Sequence, residues 1–85
     1  MLLSTTLKIT MDNTYTAFSQ GSIVKIYNAL TGVQALMRDV GDPIISCVCA
    51  GNVLTLTVQA TATTRFIKIY KLPNFELINT IPFSN

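Results

Sequence analysis

The chain has 85 residues, of which 49% are hydrophobic and only 12% charged, with a net charge of +2. A typical soluble domain is about 25% charged, so a freestanding domain with a polar exterior is a poor fit, and so small a charge argues against specific nucleic-acid binding, which needs several clustered cations. There is no His, which removes imidazole-based catalysis and imidazole metal ligation, and the apolar runs fall far short of the ~20 residues of a membrane helix.

In chain order, the first predicted strand is Leu7-Lys8-Ile9-Thr10-Met11, alternating with period two. Asp12-Asn13 turns into a second, Asn13-Thr14-Tyr15-Thr16-Ala17-Phe18. Gln20-Gly21 leads to a third, Val24-Lys25-Ile26-Tyr27, and the Leu30-Thr31-Gly32 turn to a fourth, Val33-Gln34-Ala35-Leu36-Met37. Past Gly41-Asp42-Pro43 the order repeats: Ile44–Cys49, Asn52–Val58, Ile67–Tyr70, the turn Leu72-Pro73-Asn74, and Phe75–Ile81. These segments are rich in Val, Ile, Thr, Tyr and Phe, which fit a pleated surface, and Gly, Pro, Asn and Asp separate them. Ala29–Val40 has mild helical potential, but Thr31-Gly32 in its middle and its match to the second half both favour a strand.

Val24-Lys25-Ile26-Tyr27 therefore has a second version in Ile67-Lys68-Ile69-Tyr70, and the chain divides into two copies, about 6–41 and 42–85. Matching Asn13 to Asn52 leaves extra residues in the second copy, which the spacing assigns to the loop Ala60-Thr61-Ala62-Thr63. A repeated all-β unit of about 40–45 residues has the period of a propeller blade.

Gln20–Gly32 resembles the third strand and following turn of a WD-repeat propeller blade: a Gly-containing turn, an alternating strand, an aromatic pair-position and Thr-Gly. Pro43–Cys49 is similar to that family's first strand, and Gly51-Asn52-Val53-Leu54 to its turn into the second. Tyr27-Asn28 and Tyr70-Lys71 stand where the family prefers Trp-Asp, and without His or Trp the Gly-His signature is missing. The resemblance implies an all-β fold of two four-stranded antiparallel propeller-like blades. Lone blades leave faces bare, so the ring is expected to be completed by oligomerisation or by a partner. Two blades per chain close as a six-bladed homotrimer, the favoured state, or as rings of two or four chains.

The residues carry little chemistry. The acids are Asp12, Asp39, Asp42 and Glu76 only, so no catalytic residue, metal site or cofactor is assigned. Cys47 and Cys49 point to one face of a strand and read as two small apolar side chains, with a disulfide as the alternative. Tyr27 and Tyr70 are the candidate inter-blade or interface anchors, because ring burial supplies the energy while the hydroxyl reaches an edge. Lys25 and Lys68 occupy equivalent positions and are the other interface candidates, forming a repeated basic circle in a closed ring.

The function expected is a non-enzymatic structural or protein-interaction scaffold. One alternative is a small viral or phage coat component held in a larger shell, and another is a sugar- or small-ligand-binding ring with pockets between blades. The Met1 start suggests a complete short reading frame, and Met1-Leu2-Leu3 is followed by Ser4-Thr5-Thr6 rather than a sustained apolar signal region. A cytoplasmic or virion-associated setting is expected.

Overall fold

The computed structural model describes residues 14–84, so the predicted strand Leu7–Met11 and Asn13 lie outside the described residues. Seven strands follow one another: β1 (Tyr15–Gln20), β2 (Ile23–Asn28), β3 (Gln34–Asp39), β4 (Ile44–Ala50), β5 (Val53–Gln59), β6 (Thr64–Lys71) and β7 (Glu76–Ser84). No helix occurs among the described residues, and Ala29–Val40 holds β3, as its match to β7 requires. The strands form two antiparallel sheets, ordered β1-β2-β3 and β4-β5-β6-β7. Each sheet is a simple meander, the topology that short turns between successive strands allow.

Glycine sets the tightest turns. Gly21 (φ +63°) opens the two-residue turn from β1 to β2, and Gly51 (φ +61°) does the same from β4 to β5. A glycine in the first turn position meets the positive φ that such hairpins need. The connection between sheets is pinned to the first of these turns: Val40 N donates to Ser22 O at 2.9 Å and Ile44 N to Gly21 O at 2.8 Å. Within it, Gly41 N donates to Asp39 Oδ1 at 3.0 Å. The Ser22 hydroxyl and then this amide hold the Asp39 carboxyl below its ordinary value.

Pairing register shows how far the two halves match. Lys25 pairs with Phe18 and Met37, and Lys68 with Leu56 and Thr80. Both copies carry a register shift at the same step of the motif, between Ile26 and Tyr27 and between Ile69 and Tyr70. Ala29 N donates to Thr14 O at 3.0 Å, and Leu72 N to Asn52 O at 2.8 Å, which are equivalent bonds. The structural counterpart of Asn52 is therefore Thr14 and not Asn13. The Asn-to-Asn match is one residue out of step, and one residue is enough to turn every side chain of a strand to the other face. With the register set by the ladders, the second copy's surplus lies across Gln59–Arg65, set against Gly21-Ser22 in the first. It thus lengthens the ends of β5 and β6 as well as the loop Ala60–Thr63.

The core lies between the sheets. Val24 and Ile26 from β2 meet Leu54, Leu56 and Val58 from β5, with Leu72 and Tyr70 completing the buried set. Six of these seven are fully buried aliphatic side chains, each worth roughly 1.5–3 kcal/mol of hydrophobic free energy. Tyr15, Ala17, Leu36, Cys47, Cys49 and Phe66 pack around them. The sheets approach each other most closely along β1 and β4.

Candidate functional site

The two copies use the shared motif in opposite ways. In β2, Val24 and Ile26 point into the seam, so Lys25 and Tyr27 point away from it. In β6, Tyr70 is buried in the seam, and its ladder neighbours Leu54 and Leu56 place Lys68 on the same side. Ile67 and Ile69, the counterparts of Val24 and Ile26, consequently lie on the outward face of the second sheet. The sheets are stacked in one direction, as two coins are stacked heads up. The seam joins one face of the first copy to the opposite face of the second.

Two outward faces result, and each carries several large exposed apolar side chains. The face of the first sheet carries Phe18 (49% exposed), Met37 (48% exposed), Ile23 and Tyr27. Phe18 and Tyr27 stack with centroids 5.7 Å apart and planes 7° from parallel. Lys25 Nζ sits 6.0 Å from the Phe18 centroid, within cation–π range. The face of the second sheet carries Ile67 and Ile69, with Val48 (57% exposed), Val53, Ile81 and Phe83 around them. Thr55 and Thr57 lie between them, with Ser46, Arg65, Lys71 and Asn79 around the edges of the same face.

Tyr27 and Tyr70 are thus placed differently: Tyr70 is 7% exposed inside the chain, and Tyr27 is half-buried on an outward face. Burial pushes the Tyr70 hydroxyl above its ordinary value. Lys25 lies on the outward face beside Phe18, while Lys68 is half-buried on the seam side, between Leu56 and Thr80. The structure does not bring the four candidates into one site. It puts one Tyr–Lys pair at the seam and the equivalent pair at an open end.

The turn after β6 holds a residue the sequence reading missed. Phe75 has φ +58°, a left-handed conformation, where its counterpart Gly32 has φ +75°. Its ring stacks on Tyr70 with centroids 4.1 Å apart, and the Arg38 guanidinium from the first sheet lies 5.9 Å from its centre. A strained backbone position is thereby occupied by a side chain that bridges the sheets. The signal was available: Thr31-Gly32 in one copy faces Asn74-Phe75 in the other.

Cys47 and Cys49 are free thiols on the seam side of β4, and Cys49 Sγ donates to Tyr15 O at 3.4 Å. Burial raises both thiols above their ordinary value, and for Cys47 the neighbouring Cys49 adds to the shift. Among the described residues, no group of three or more His, Cys, Asp or Glu comes together, and no pocket opens. No helix there is long and apolar enough to cross a membrane.

Comparison with models of known protein families, with curated proteins and with solved structures found no match. The candidate functional surfaces are therefore defined by geometry alone, as the two outward sheet faces.

Proposed function

We propose that the chain is a non-enzymatic scaffold built from two propeller-like blades, each sheet serving as one blade, and that it works by binding protein through its outward faces. One observation carries the reading: the two sheets stack in the same direction, so an apolar face is left at each end of the pair. Repeating units of this kind bury a face against each neighbour and expose faces wherever the series stops. The meander of each sheet and the shared register shift also fit a blade-like repeat. A ring of 4–8 blades needs more than one such chain, and three copies give six blades.

Native mass by light scattering coupled to size exclusion tests the proposal. The expected result is a defined particle at a small multiple of 9.3 kDa, with three chains favoured. A well-folded monomer that stays monomeric at high concentration would overturn it, because its apolar faces would then be tolerated in water.

A further inference from the structure

We infer that the two outward faces are halves of one repeated interface, so that the Ile67–Ile69 face of one chain docks on the Phe18–Tyr27 face of a second copy. The inference rests on the scaffold reading and names its partner. It follows from the equivalences that the ladders fix. At the inner seam, Val24 and Ile26 of the first sheet meet Leu54, Leu56 and Val58 of the second. The counterparts of Val24 and Ile26 are Ile67 and Ile69, on one open face. The counterparts of Leu56 and Tyr70 are Phe18 and Tyr27, on the other. Over the strands that correspond, β1–β3 and β5–β7, each open face therefore repeats one side of a junction that this chain already forms internally.

A second copy covers one of these faces by extending the same stacking direction, and further copies cover the other. Such a contact is heterologous: the patch on one chain differs from the patch it meets, and repetition proceeds until the ring shuts. Two-fold pairing would instead set a face against itself, an arrangement for which the inner seam provides no template. The substitutions between copies also predict the strength of the contact. Leu54 and Val58 are replaced on the open face by Thr16 and Gln20, so the junction between chains buries fewer apolar atoms than the seam inside each chain. On dilution, chains should separate before they unfold.

Two blocked variants test this. Phe18→Asp places a charge on one open face and Ile69→Asp on the other, and both positions lie off the inner core. Each variant is checked for strand content by circular dichroism and weighed by light scattering, alone and mixed one to one. The expected result is two folded monomers that combine on mixing into a single dimer, one chain of each kind, because each still has the face the other lacks. If one variant alone remains a dimer, a face pairs with itself and the inference fails, although the scaffold reading survives. If both variants keep the wild-type mass, these faces are not the contact, and the inference fails in the same way. If the wild-type chain is a folded monomer, both readings fail. Should either Asp variant lose its strand content, Met37→Lys and Val48→Lys repeat the design at other exposed positions on the same two faces.

Discussion

Val24-Lys25-Ile26-Tyr27 and Ile67-Lys68-Ile69-Tyr70 have nearly the same residues and opposite surroundings. In the first copy the two aliphatics are fully buried, and the Tyr–Lys pair faces outward. In the second the Tyr is buried, and the two Ile lie on the open face. Local sequence therefore decides that each segment is a strand with two usable faces. Position in the stack decides which face finds a partner. The motif must be able to bury both faces, which accounts for an alternation weaker than that of a one-sided sheet, and for β6, where every residue from Thr64 to Ile69 is partly buried.

The tyrosines offer the sharpest way to break the comparison. Tyr70→Ala removes a buried ring stacked on Phe75 and should cost about 3–5 kcal/mol, near the upper range for a core aromatic. Tyr27→Ala removes an equivalent ring that stacks on Phe18 on an outward face, and should cost the single chain about 1 kcal/mol. Urea unfolding at a dilution where chains are separate checks both. Equal losses would show that the two copies have the same surroundings. At higher concentration Tyr27→Ala should also lower the native mass, whereas Tyr70→Ala acts on folding first.

Phe75→Gly sets two effects against each other. It relieves a left-handed backbone that favours glycine, worth roughly 1 kcal/mol, and it removes the ring held between Tyr70 and Arg38. The lost stacking and burial together exceed the relief, so a net loss of about 1 kcal/mol is expected. A stabilised variant would show that the ring does not bridge the sheets.

A smaller effect is expected in alkali. Burial raises Cys47, Cys49 and Tyr70 above their ordinary values of 9.0, 9.0 and 10.0. For each, the unfolded chain loses its proton first. The stabilisation is therefore complete below the ordinary value and is lost as pH rises through the higher folded value. The thermal midpoint should fall above about pH 9, first with the thiols and then with the tyrosine. Tyr70→Phe should flatten the upper part of that fall. The smallest effect belongs to Asp39→Asn. The Asp39 carboxyl is lowered by Ser22 and Gly41, so the turn is supported above the ordinary carboxylate range and weakened as pH falls through the lowered value. The side chain is exposed, so the Asn variant should melt within a degree or two of the wild type.

Much of the fold was legible because alternation and turn residues are local properties. Each predicted segment from Tyr15 onward is a strand, and Gly21 and Gly51 stand at the turns that the sequence marked. Repetition of the motif pointed to two like units, and both sheets carry the same register shift beside it. The Asn13–Asn52 match failed because identity at one turn residue says nothing about ladder register, which Thr14 O and Asn52 O fix through their bonds to Ala29 and Leu72. The different placement of Tyr27 and Tyr70 was also not readable, since it depends on which face of each sheet is covered. Phe75 was missed because its left-handed φ is signalled only by its match to Gly32, and its aromatic side chain reads locally as the start of a strand.

The most direct test is a methyl nuclear Overhauser spectrum, recorded on labelled chain diluted into unlabelled chain so that only contacts within one molecule are seen. The account predicts cross-peaks from the Val24 and Ile26 methyls to those of Leu54, Leu56 or Val58, and none from Ile67 or Ile69 to β1–β3. Cross-peaks from Ile69 to the first sheet would contradict it, because the second copy would then present its other face to the seam and the repeat would not stack in one direction.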